Sequence, residues 1–144
     1  MKHLNQKSAK ILKALFDCMN DPRYVRTPGS YAKLDNGGPC IMPVSVEKLC
    51  HIPTFDEHFV VSHTYEQNGD LMRDPEMEFV LKDDKYYPIT YRQDNLGIMQ
   101  EVLEYRDSDG TPVRYKPKLQ RDLVEFSNMW MQNINEQQHW GVAA

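Results

Sequence analysis

The segment NGDLMRDPEMEF gathers Asp70, Asp74, Glu76 and Glu78 into one short stretch. Side chains two residues apart project to the same side of an extended strand, so Asp74, Glu76 and Glu78 point together if the strand begins before Pro75. Carboxylates grouped in this way can hold Mg²⁺ or Mn²⁺, or divide the roles of acid and base between them. Arg92 and Asp94 complete the candidate set. The same spacing also describes the wet face of an antiparallel sheet, with Arg92 opposite a glutamate as its charge partner. Many metal-dependent nucleases place a Glu-x-Lys element on a strand, but here the lysine after Glu78 is Lys82, four positions on. Asp74, Glu76 and Glu78 are therefore candidates for a metal ion by residue type alone. The reading that needs fewest assumptions is a binding face made of Asp70, Asp74, Glu76, Glu78, Arg92 and Asp94, with no catalytic residue and no cofactor assigned.

The other groups able to do chemistry are scattered. Cys40, Cys50 and His51, with His58 or His63, lack the short ligand spacings of zinc sites. His58 and His63 are an odd number apart and fall on opposite faces of one strand. No basic neighbour in sequence lowers the thiol pKa of Cys18 or Cys40, and adjacency of Cys50 to His51 does not make a dyad. Three cysteines without a CxxC pair fit thiols in a reducing, cytoplasmic compartment. The chain has no P-loop, GxGxxG, GxSxG or HExxH motif.

Its 144 residues, 40% hydrophobic and 26% charged, suit one folded domain, positions 1–144. A formal charge of −4 argues against direct nucleic-acid binding over a broad surface. No run approaches the roughly 18 apolar residues of a membrane span. Lys2, His3, Lys7, Lys10 and Lys13 read as the solvated side of an amphipathic helix.

The elements that must position the candidate face follow from periodicity. Leu4, Ile11, Leu12, Leu15, Phe16 and Met19 predict a helix over about 3–19, stopped by Asn20-Asp21-Pro22. Pro28 and Gly29 predict a turn before a short strand at Tyr31 to Leu34, and Asp35-Asn36-Gly37-Gly38 predicts a hairpin into Cys40 to Val46. Alternation from His58 to Tyr65 predicts a strand ended by Asn68-Gly69-Asp70. The pattern predicts that the next two strands are joined by a three-residue loop, Asp83-Asp84-Lys85. That loop aligns Met77, Phe79 and Leu81 with Tyr91, Ile89 and Tyr87, and sets Glu76 against Arg92. Pro88 then lies on the polar side and requires an edge or a bulge. Ile98 to Tyr105 is a further strand with apolar residues on both faces. Leu119, Leu123, Phe126, Trp130 and Ile134 mark a helix over about 117–138, on the order of 30 Å long at 1.5 Å per residue. The expected fold is α+β, an antiparallel meander of four to six strands over about 31–105 with both helices on one face.

The segments YEQNGDLMRDPEMEF, YYPITYRQDNLGIMQEV and FSNMWMQNINEQ resemble an uncharacterised family of short proteins from bacterial plasmids, conjugative elements and phages, grouped as a domain of unknown function. The resemblance covers about 58–138 and includes the form F-x-x-x-W-x-x-N, here Phe126, Trp130 and Asn133. It implies a hairpin-rich sheet followed by a helix, on a protein of a mobile genetic element. Small acidic proteins of such elements modulate host defence, including restriction and CRISPR systems. The acidic face would then meet a basic, nucleic-acid-binding host protein through complementary charge. A small metal-dependent hydrolase or nuclease and a structural subunit of a homo-oligomer are the alternatives.

Overall fold

A computed structural model describes residues 1–24 and 30–142; the turn expected at Pro28-Gly29 lies outside them. The first helix, α1 (Gln6–Asp17), begins where Asn5 caps it, its side-chain oxygen accepting from the Ser8 N–H at 2.8 Å. It passes into a single 3-10 turn, Cys18–Asn20. Expected from residue 3, the helix starts later because Leu4 is committed elsewhere: it is buried, and its N–H donates to the Tyr86 carbonyl. The last helix, α2 (Pro117–Gln137), opens on a proline, whose missing N–H costs nothing in the first turn.

Between them run β1 (Tyr31–Leu34), β2 (Val44–Lys48), β3 (Glu57–Gln67), β4 (Asp70–Lys82), β5 (Lys85–Pro88), β6 (Thr90–Gln93) and β7 (Ile98–Glu101). They form one antiparallel sheet in the order β1-β2-β3-β4-β6-β7, with β5 also on β4, which is the expected meander. Strand β5 and strand β6 are two halves of one row, interrupted at Ile89. The hairpin after β1 is present, but β2 starts at Val44 rather than Cys40, and Cys40 to Pro43 form a loop packed beside α2.

The β4–β5 turn differs from expectation. It has two central residues, Asp83 and Asp84, both at positive φ (51° and 63°), with Lys82 opposite Lys85. Aspartate tolerates that left-handed conformation, and two such residues match the twist of a tight hairpin. Phe79 consequently faces Pro88, and Leu81 faces Tyr86 instead of Tyr87. Tyr86 takes the core position, its ring edge-on to Phe59 at 6.0 Å. The register slips back by one at Pro88–Ile89, so that Glu76 faces Arg92 as expected. The bulge falls where proline offers the ladder no donor, and Pro88 itself is buried, not on the polar side.

The expected strand Ile98 to Tyr105 is broken at Val102. Beyond it, β8 (Leu103–Tyr105) pairs with β9 (Pro112–Tyr115) in a separate two-stranded sheet. Val102 joins the two sheets: its N–H donates to the Ile89 carbonyl and its carbonyl accepts from the Lys116 N–H. This explains why neighbouring Val102 and Leu103 are both buried.

Both helices cover the same sheet face. Phe16 of α1 meets Phe59 at 5.0 Å, while Phe126 and Trp130 of α2 meet Tyr91 and His63. Two buried glutamines tie α2 to distant chain. Gln120 exchanges two hydrogen bonds with the Lys2 backbone, and Gln138 accepts from the Asn36 N–H and donates to the Met42 carbonyl. No helix among the described residues is long and apolar enough to cross a membrane.

Phe59 is fully buried at the centre of the contact between helix and sheet. Phe59→Ala is expected to cost about 3–5 kcal/mol in urea denaturation. Leu71→Ala, at a position 63% exposed on the other face, should stay within about 0.5 kcal/mol of wild type.

Candidate functional site

The face turned away from the helices is built by alternation. Tyr31, Ser45, Glu47, Val60, Ser62 and Thr64 from β1 to β3 line a groove of about 230 Å³ with Leu71, Arg73 and Glu76 of β4. Continuing across the sheet come Glu78, then Thr90 and Arg92 on β6, and Met99 and Glu101 on β7. At its Val80 end the face is closed over, Val80 itself being fully buried.

The candidate carboxylates do not all lie here. Register shifts between Ser62 and Thr64: Ser62 faces Glu76, but Thr64 faces Arg73, so Asp74 and Pro75 together oppose His63. This extra residue reverses the alternation of β4. Glu76 and Glu78 remain on the open face as expected, whereas Asp74, expected beside them, lies on the α2 side with His63 and Trp130. Arg73 takes the place expected for Asp74. Asp70 stands at the far end of β4, exposed beside the Asn68-Gly69 turn.

Arg73 converts an acidic cluster into a charge-paired network. Its Nε lies 3.4 Å from Glu76 Oε1, and its Nη1 lies 3.2 Å from Asp94 Oδ2, which also accepts from the Arg73 N–H at 2.9 Å. Arg92 Nε donates to the other Asp94 oxygen at 2.9 Å. Asp94 is thereby held below the usual carboxylate range, first by the Arg73 backbone N–H and then, against partial desolvation, by the Arg92 guanidinium. Burial lifts Glu76 above its usual value despite both arginines. With Asp74 on the far side and a guanidinium on Glu76, the three carboxylates do not share a focus. No group of three or more His, Cys, Asp or Glu among the described residues is arranged to hold a metal ion.

Beside the network sits a pair that sequence spacing did not single out. His58 Nε2 lies 2.6 Å from Glu78 Oε1, and its Nδ1 lies 2.7 Å from the Cys50 carbonyl. Both ring nitrogens face acceptors, which only an imidazolium satisfies by donating from each. Burial alone would lower the His58 pKa, but the bonds to Glu78 and Cys50 outweigh it and raise it above 6.5. Thr90 Oγ1 completes the arrangement by donating to Glu78 Oε2 at 3.2 Å. Sequence signals for this pair existed only in part: register predicts that Glu78 and Thr90 face each other, while His58 reaches Glu78 diagonally from two positions along β3. Cys40 and Cys50 are exposed free thiols, and Cys18 is buried, its pKa pushed up to about 11 chiefly by desolvation.

The fold and its open face define a two-layer α+β protein with helices on one side of a meander and a charge-paired surface on the other. The family model of a domain of unknown function, DUF6908, matches residues 10–140, and the chain belongs to that family. The match reaches well into the N-terminal helix, further than the resemblance over 58–138. No curated protein and no solved structure matches the chain.

The His58–Glu78 pair gives stability a pH dependence of definite sign. The folded-state pKa of His58 exceeds the unfolded value of 6.5, so its contribution is complete below about pH 6.5 and is lost as pH rises through the higher folded value. His63 is held below 6.5 by burial and acts only on the acidic side of this window. The urea midpoint should therefore fall as pH rises above about 6.5, and Glu78→Gln should flatten that fall.

Proposed function

We propose that this chain is a non-catalytic binding protein that acts through a protein partner with a basic surface, serving a mobile genetic element as an accessory factor or modulator of host defence. The mobile-element setting rests on the resemblance of its strand and helix segments. The binding role rests on one observation about the open face. Its carboxylates, Glu47, Glu66, Glu76, Glu78, Asp94 and Glu101, outnumber Lys33, Arg73, Arg92 and the His58 imidazolium. Glu47 on β2 and Glu101 on β7 are exposed and have no ion-pair partner among the described residues. The interior of the face is neutralised by its own arginines, and unpaired carboxylates flank it. Complementary charge of that kind raises association rate and excludes like-charged partners more than it adds affinity. Exposed Leu71 and Met99 on the same face supply apolar contact that a partner could desolvate.

The hydrolase reading draws on Asp70, Asp74, Glu76 and Glu78, of which Asp74 lies on the face opposite Glu76 and Glu78 and Asp70 is exposed at the far end of β4. Calorimetric titration with Mg²⁺ or Mn²⁺ at millimolar concentration is expected to give no saturable heat.

A tagged pull-down from host lysate, treated with nuclease, is expected to retain a basic protein partner. Glu47→Lys with Glu101→Lys should remove it while leaving the fold intact, because both positions are exposed and unpaired. Capture should also weaken with added salt. Undiminished capture by the double variant would contradict the assignment of this face, and capture of the chain alone would favour self-association.

A further inference from the structure

The groove on the open face follows the course of β3. Val60, Ser62 and Thr64 form its floor, and larger side chains rise on either side: Tyr31 and Glu47 from β1 and β2, and Leu71, Arg73 and Glu76 from β4. Val61, between Val60 and Ser62, is fully buried in the core beneath the helices. Ser62 is therefore directed to the opposite side, in one row with Ser45 and Glu76.

Ser62 is only 8% exposed, yet its hydroxyl has no hydrogen-bond partner among the described residues, whereas Ser45 beside it is bonded to the Tyr31 hydroxyl at 3.2 Å. Nor is it sealed in the protein. Among the described residues Trp130 Nε1 is the one unpartnered side-chain nitrogen or oxygen closed to solvent, so Ser62 Oγ opens into the groove that Ser62 lines. A polar side chain this deep ordinarily has a partner, and a group entering the groove can supply it. The charges around it favour a cation. Arg73 is committed to Asp94, which Arg92 also holds. Glu76 meets Arg73 only at 3.4 Å and takes no hydrogen bond among the described residues. Neither Glu47 nor Lys33, which sits beside Ser45 on β1, belongs to an ion pair among them. Two carboxylates thus line the groove short of donors, and its single guanidinium is already used.

We infer that this groove seats an arginine side chain from the basic surface of the partner protein, its guanidinium donating to Glu47, Glu76 and the Ser62 hydroxyl and its methylenes lying on Val60 and Leu71. The inference rests on the partner reading above and names the group that enters this face. Arginine fits better than lysine because the acceptors stand on three strands, β2, β3 and β4, and a planar guanidinium donates in several fixed directions at once. The Tyr31 side chain in the wall adds aromatic surface of the kind a guanidinium stacks on. An anion would meet both carboxylates and find no free counterion.

The test needs no partner: the whole chain is titrated with N-acetylargininamide while the backbone amide signals of Glu47 and Ser62 are followed by ¹⁵N-edited NMR. Both should shift saturably at millimolar concentration. The neutral isostere N-acetylcitrullinamide should bind at least about tenfold more weakly, and N-acetyl-lysinamide at least about threefold more weakly. Glu47→Gln, at an exposed position, should weaken binding at least about threefold. Ser62→Leu, which fills the floor without changing the charge, should abolish both the shift and partner capture in the pull-down. Absence of a saturable shift, equal binding of either comparison probe, or unchanged affinity in Glu47→Gln would overturn the groove assignment even where a partner is captured, and so would undiminished capture by folded Ser62→Leu. If Ser62→Leu does not fold, Glu47→Gln decides. Saturable arginine binding with no partner captured would uphold the arginine site and overturn its origin in a partner protein, which separates the two readings.

Discussion

Where Asp74 and Pro75 together oppose His63, β4 carries one residue more than β3, and the direction of its side chains reverses from that point on. Period-two alternation makes this local irregularity decisive, since a shift of one residue exchanges the two faces. Arg73 is carried to the open face, where it reaches both Glu76 and Asp94. Asp74 is carried to the helix face, into a cavity walled by α2 and the loop before β2. Without the extra residue the open face would be an acidic cluster without its central cation, and the cavity would lose its charged group.

The two sides of the sheet consequently have different electrostatic characters. On the open face most charges are satisfied internally: Asp94 takes hydrogen bonds from both arginines, and Glu78 from His58 and Thr90. These pairs are partly exposed, so each contributes modestly to stability, and their main effect is to fix the geometry of the surface. On the helix side Trp130 and His63 are buried, Asp74 is half-buried, and Asn133 and Gln137 are exposed. The helices are held over that side by Phe16, Phe126 and Trp130 packing on Phe59, Tyr91 and His63, and by Gln120 and Gln138 at the two ends of α2.

Elements with long, regular periodicity were legible in the sequence. The stripe from Leu119 to Ile134 defines α2 to within about a residue at its C-terminal end, and Asn68-Gly69 marks the β3–β4 turn. The exchange of Arg73 and Asp74 left no trace, because both are charged and the binary pattern is the same whichever faces the helices. In the β4–β5 hairpin, apolar matching favoured a three-residue loop that the chain does not use. It achieves the same Glu76–Arg92 pairing with a tighter turn and a bulge at Pro88–Ile89, a choice set by the left-handed conformations of Asp83 and Asp84. The short β8–β9 hairpin, with Tyr105, Val113 and Tyr115 exposed, offers too little alternation to be recognised. The His58–Glu78 pair depends on a diagonal approach between strands that local spacing does not encode.

The placement of Arg73 and Asp74 on opposite faces by the β4 irregularity is tested most directly by comparing partner capture by Arg73→Glu and Asp74→Lys in one protein preparation. The predicted result is that Arg73→Glu changes capture while Asp74→Lys leaves it intact. An equal change of capture in both folded variants would contradict the division, placing Arg73 and Asp74 on one shared surface.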